Sequence, residues 1–246
     1  MPKGKKYIIE IATSDFVTTK AAVEGGADRI ELCANLAEGG TTPSFGTIKR
    51  CRESFNVLLY PIIRPRGGDF LYTKDEYEIM VEDVKLCKQL GCDGVVLGLL
   101  NMDGTIDIAR TSGLVELAYP METTFHRAFD RCLDPLEAME ELIEMGCERI
   151  LTSGQQPTVN DGVELIAELN EKADGRIIIM PGSGVRKENI KMLAEKTGCT
   201  EFHSSLRSKI KSPMLYLHPG FTGSEESYMN NTIDPAEVKA IRNMLK

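Results

Sequence analysis

The chain has 246 residues, 42% hydrophobic and 27% charged, with a net charge of −8, an ordinary composition for one soluble unit around a single core. That charge argues against nucleic acid or an anionic membrane as the main partner, and no apolar run approaches the roughly 18 residues of a membrane helix. Seven cysteines without a Cys-x-x-Cys pair fit reduced thiols, and the basic start, Met1 to Lys6, leads into a strand rather than a signal-peptide core, so a cytoplasmic location is expected.

Taken in order, Tyr7 to Ala12 reads as a first strand, and Asp15 can cap a helix through Glu24. Gly26-Ala27-Asp28 then precedes the strand-like Arg29-Ile30-Glu31-Leu32, and the pattern returns three times. Gly91-Cys92-Asp93 precedes Gly94 to Leu97, Gly146-Cys147-Glu148 precedes Arg149 to Leu151, and Gly198-Cys199-Thr200 precedes Glu201 to His203. Each glycine sits where a helix would end in the left-handed conformation. The intervals are each about twice one strand-plus-helix unit, and the missing strands are visible at Val57 to Ile63, Thr123 to His126 and Arg176 to Met180.

Further helices open at Lys74-Asp75-Glu76, running to Leu90, and at Asp134-Pro135 and Asp234-Pro235, where a capping residue precedes proline. The last one carries Val238, Ile241, Met244 and Leu245. Before it, about 206–233 forms a long loop or arm of the kind used as a lid or contact element. The fold class is therefore α/β, a (βα)8 TIM barrel in a single domain over 1–246, with an open doubly wound sheet as the alternative.

Barrels of this kind place their chemistry at the C-terminal strand ends. Those ends supply Glu10, Glu31, His126 and Asp130 for acid–base work, with Asp130 placed to orient His126. Arg64 and Arg66, two apart and so expected on one face, would grip a small carboxylate or phosphate together with Arg127. Ser153, the turn Gly182-Ser183-Gly184, and His203 with Ser204 would add polar groups and backbone donors to the same anion. Glu31 with Cys33 and Glu201 with His203 are further same-face pairs. The blander readings are an ion-paired layer that only closes the barrel, and turns that only need glycine. Cys92, Cys147 and Cys199 occupy the place of Ala27 in the repeat, which makes them packing residues at the opposite end. Cys33 alone among the thiols projects toward the mouth, and one thiol makes a poor metal site without partners.

Arg29-Ile30-Glu31-Leu32-Cys33, Glu38-Gly39-Gly40-Thr41-Thr42-Pro43-Ser44, Arg64-Pro65-Arg66-Gly67-Gly68-Asp69-Phe70, Thr124-Phe125-His126-Arg127-Ala128-Phe129-Asp130, Leu151-Thr152-Ser153-Gly154 and Glu201-Phe202-His203 together resemble the CutC family. The resemblance spans roughly residues 7 to 210. It implies a TIM-type barrel, a cytoplasmic protein of copper homeostasis, Cu(I) binding with Cys33 as ligand, and a homodimer or homotetramer. The residues themselves equally describe an enzyme of unassigned reaction on a small anionic substrate, and both readings are carried forward.

Overall fold

The computed structural model describes residues 6–221 and 228–245. The basic start before Lys6 and Gly223 of the expected arm lie outside the described residues. Local chemistry sets the helix starts. Asp15 accepts from the Thr18 N–H at 2.8 Å while the Thr18 hydroxyl accepts from the Asp15 N–H at 3.2 Å, which opens α1 (Phe16–Glu24) with a reciprocal cap. Thr73 and Glu76 do the same for α3 (Lys74–Gln89). Asp134 and Asp234 cap α5 (Pro135–Glu144) and α8 (Pro235–Asn243), each with proline at the first helical position.

The strands are β1 (Ile8–Thr13), β2 (Arg29–Leu32), β3 (Leu58–Pro61), β4 (Gly94–Leu97), β5 (Glu122–Phe125), β6 (Arg149–Thr152), β7 (Ile178–Pro181) and β8 (Glu201–Ser204). The remaining helices are α2 (Phe45–Ser54), α4 (Ile108–Ala118), α6 (Val163–Ala173) and α7 (Ile190–Thr197). All barrel pairings are parallel, in the orders β3-β2-β1-β8 and β4-β5-β6-β7. A parallel bridge between Ile62 and Val96 joins the two sets on one side, and β7 lies against β8 on the other. Sequential order around a closed ring is the (βα)8 barrel, and the doubly wound alternative falls away.

The four repeat glycines, Gly26, Gly91, Gly146 and Gly198, all have positive φ, between 72° and 89°. Each ends a helix and turns the chain into an even-numbered strand, so Cys92, Cys147 and Cys199 pack at the bottom of the barrel as expected. Outward-facing residues such as Ile9, Ile11, Ile30 and Leu32 are buried beneath the helices in the main apolar cluster. Alternate residues face inward, where a smaller apolar cluster of Cys33, Tyr60, Ile62 and Val96 stands beside polar residues. Glu10, Arg29, Arg149 and Glu201 form a buried ionic layer across the barrel.

The expected arm is a two-stranded antiparallel hairpin, β9 (Arg207–Lys211) with β10 (Met229–Ile233), whose pairing runs from Arg207–Ile233 to Lys211–Met229. Between the strands Met214, Leu215 and Tyr216 are exposed, Leu215 completely.

Candidate functional site: the barrel mouth

A cavity of about 420 Å³ opens at the C-terminal strand ends. Its walls carry five arginines, Arg64, Arg127, Arg131, Arg186 and Arg207, against three carboxylates, Glu31, Glu38 and Asp130. His126, His203, Ser183, Gly184, Ser204 and Ser205 also line it. A chain of net charge −8 thus presents a cation-rich pocket, which draws small anions and repels cations.

The floor is built from the ends of β1, β2 and β8. Inward positions alternate, so Glu10, Glu31 and His203 converge. The His203 Nδ1 lies 2.7 Å from Glu10 Oε1, and its Nε2 lies 3.8 Å from Glu31 Oε2. Glu10 is fully buried and also accepts from Arg29 Nε at 2.5 Å. Arg29 in turn donates to Glu201 at 2.6 Å, which accepts from Arg149 at 2.7 Å. Burial alone would raise the Glu10 carboxyl, but Arg29 and His203 outweigh it and hold it at about 2. Glu10 is therefore a fixed anion beneath the cavity.

The other two groups of the floor are both raised. Burial raises the Glu31 carboxyl above the usual carboxylate range, and the nearby His203 only partly offsets this. Burial would lower the His203 imidazole, but Glu31 first and Glu10 next raise it. Facing each other at 3.8 Å, the carboxyl and the imidazole are placed to pass one proton between them. Gly182 makes room for Leu151 beside this ring, because a Cβ there would stand 2.5 Å from Leu151 Cδ1.

Several expected residues are placed otherwise. Arg66 is absent from the cavity. β3 ends at Pro61, and the chain beyond it turns at Pro65, so the two-apart rule fails between Arg64 and Arg66. Arg66 instead pairs with Glu76 at 2.5 Å and with Asp69 at 3.0 Å. Arg64 does line the cavity, but its guanidinium is spent on the carbonyls of Glu38, Gly40 and Gly68 at 2.7 to 2.9 Å, pinning the neighbouring loops.

Asp130 does not touch His126. Its carboxylate accepts from Arg127 Nε, the Thr152 and Ser153 hydroxyls, and the Ser153 and Gln155 N–H groups, which leaves it a structural hub rather than a base. Ser153 is consumed in the same hub and stands outside the lining. The Gly182 N–H is used by the Thr152 carbonyl at 2.9 Å, so it offers nothing to a ligand. Ser183 and Gly184 do reach the cavity, with φ of 70° and 95°. Glu10 lies below the cavity, not on its wall. His126 is on the wall, but it is not tuned toward neutrality, since burial and the Arg64 charge lower it to about 3.

Cys33 is completely buried, outside the lining, and its Sγ donates to Glu31 Oε2 at 3.4 Å. Burial and the Glu31 charge push this thiol well up. Among the described residues no group of three or more His, Cys, Asp or Glu is arranged to hold a metal ion.

The sequence profile of the CutC family matches residues 7–208. The chain belongs to the CutC family. A CutC family protein of Chromobacterium violaceum is 48% identical over 241 residues, covering 97% of this chain and 98% of its own. A solved structure from Streptococcus agalactiae, provisionally described as the copper homeostasis protein CutC, superposes with a TM-score of 0.78 at 32% identity, covering 81% of this chain and 98% of that one. Thiamine phosphate pyrophosphorylase from Pyrococcus furiosus, at 17% identity and a TM-score of 0.60 over 98% of this chain and 96% of its own, shares the fold alone. The CutC profile ends inside β9, so most of the hairpin arm lies beyond the matched segment.

Sequence reasoning missed Arg131, Arg186, Arg207 and Glu38. Arg186 follows the Gly182-Ser183-Gly184 turn by two residues, and Arg207 follows Ser205 by two. Each stood beside a motif already recognised. It escaped notice because an arginine after a turn carries no periodic signal of its direction.

Proposed function

We propose that this CutC family chain is an enzyme acting on a small anionic substrate in the barrel mouth. The observation that carries the reading is the His203 imidazole, held between the buried Glu10 and the cavity-lining Glu31, in a pocket rimmed by arginines. The guanidinium groups of Arg131 and Arg207 have no hydrogen-bonding or ion-pair partner among the described residues, and Arg186 spends one nitrogen on Ser204 and the Val185 carbonyl. Arg127 is half-committed to Asp130 and Ser153. Together they can hold a phosphate or carboxylate by charge-assisted hydrogen bonds. The Glu31–His203 pair then moves a proton at an atom of the same ligand, with Glu10 fixing the imidazole from below.

A panel of phosphorylated and carboxylated metabolites, followed by proton exchange with deuterated water, tests this directly. Glu31→Gln should lower kcat by about 10²–10⁴-fold, while Arg207→Ala should mainly raise KM. Equal turnover of every hit by Glu31→Gln would move the chemistry elsewhere.

A second reading follows from the copper homeostasis description of the Streptococcus agalactiae relative, with Cys33 as the Cu(I) ligand of a cytoplasmic protein. Seven reduced cysteines support a reducing compartment. The donor set at the mouth does not fit a tight soft-metal centre, because one sulfur faces a hard carboxylate and no second thiol joins it. If copper is nevertheless held there, a Cu(I) chelator competition should give modest affinity that Cys33→Ser abolishes and Cys92→Ser leaves intact. Tight binding by Cys33→Ser would remove Cys33 from the account. We also infer a homodimer or homotetramer, supported by the exposed Met214, Leu215 and Tyr216 on the arm.

A further inference from the structure

Two residues that line the cavity carry a buried polar atom without a hydrogen-bond partner among the described residues, Arg64 at Nε and His126 at Nε2, and of these the imidazole is the neutral donor. Its Nδ1 accepts from the Ala128 N–H at 3.2 Å. That bond requires a lone pair on Nδ1, so the neutral ring carries its proton on Nε2. Nε2 is buried and has no hydrogen-bond partner. An N–H in that state is destabilising unless something accepts from it.

The ring is also locked in place. Phe70 packs on it with centroids 4.9 Å apart, and a Cβ at Gly98 would stand 2.4 Å from Nδ1, so only glycine lets β4 approach this closely. Arg64 lies over the far ring, 5.0 Å from the Phe70 centroid. Burial and this guanidinium keep the imidazole uncharged at every physiological pH. A rigid, unsatisfied donor buried on a residue that lines a polar cavity is costly to maintain for packing alone.

We propose that the His126 Nε2–H donates to a carbonyl oxygen of the substrate, and that the anion taken by this cavity is therefore a carbonyl compound that reacts through its enolate. This rests on the anionic-substrate reading above and names its substrate class. His126 stands on β5, in the strand set opposite that of Glu31 and His203, so the two groups address the ligand from opposite walls. The step balances without an oxidant. The proton on the carbon next to the carbonyl passes to the Glu31–His203 pair, and the C–H electrons become a C=C bond. The carbonyl π electrons move onto oxygen, where the Nε2–H stabilises the new charge. Return of a solvent-exchanged proton to the same carbon gives exchange; where that carbon carries a hydroxyl, passing the hydroxyl proton to the former carbonyl oxygen and the carbon proton to the former carbonyl carbon gives the isomer. A neutral imidazole suits this task because it keeps its proton while the oxyanion forms.

Two measurements on the full chain test it. Nitrogen-15 NMR of the three histidines should find His126 as the neutral Nε2–H tautomer from pH 5 to 8. Calorimetry should then show phosphoglycolohydroxamate, a phosphorylated enediolate mimic, binding at least about tenfold tighter than inorganic phosphate. His126→Phe should lower hydroxamate affinity about tenfold more than phosphate affinity, and His126→Gln, which retains an N–H donor, should recover part of that ratio. An Nδ1–H tautomer, or an unchanged ratio in both variants, overturns the role of His126 while leaving anion binding in place. Failure of phosphate and hydroxamate alike to bind overturns the anion reading, and this inference with it.

Discussion

His126 and His203 show how one residue type takes two chemistries from its surroundings. His126 is buried and His203 half-buried in the mouth. His203 faces two carboxylates and is raised, whereas His126 faces Arg64 and is lowered to about 3. The consequences for stability have opposite signs. An unfolded His126 binds a proton below about pH 6.5 while the folded one does not, so stability falls as pH drops from 6.5 toward 3. The full effect is on the order of 5 kcal/mol. His203 works the other way, contributing most below pH 6.5 and losing that contribution as pH rises through its raised value. Urea unfolding of His126→Leu at pH 7 and pH 4.5 should therefore show a smaller acid loss than the parent chain. An identical loss in both would show that His126 is protonated in the folded state.

At the scale of elements, β1, β2, β6 and β8 each contribute one inward-facing residue, Glu10, Arg29, Arg149 and Glu201, to one buried ionic layer, and that layer supports the floor of the site. Arg29 is its centre, with Glu10 and Glu201 on its two sides and its charge 5.1 Å from the Tyr60 ring centroid. Removing one member leaves buried charge without compensation, at about 3–5 kcal/mol. Arg29→Met should lose about that much in denaturant unfolding at pH 7. A loss below 1 kcal/mol would mean that the layer is solvated. The hairpin arm is separate from this layer. Replacing 209–232 by a short Gly-Ser linker should lower the oligomer order seen by light scattering while leaving the barrel folded, and an unchanged mass would place the interface on the barrel.

Over the whole molecule, the sequence was most informative where backbone chemistry is local. Four glycines at positive φ marked the bottoms of the even strands, and Asp-Pro pairs marked the starts of α5 and α8. The paired directions of Glu31 with Cys33 and of Glu201 with His203 followed from strand alternation, which holds inside the ladder. Arg64 and Arg66 lay beyond its end, and there side-chain direction is set by turns, which residue spacing does not encode. The ionic layer was equally hidden, because Arg29 and Arg149 resemble surface cations until the barrel closes around them. What remains after these corrections is a pocket whose free arginines gather above the Glu31–His203 pair.

Calorimetric titration of inorganic phosphate into the full chain at low salt tests that account most directly. It predicts one site per chain, at least tenfold weaker in the Arg186→Ala/Arg207→Ala double variant and unchanged in Arg66→Ala. Binding that survives the double variant but disappears in Arg66→Ala would contradict it.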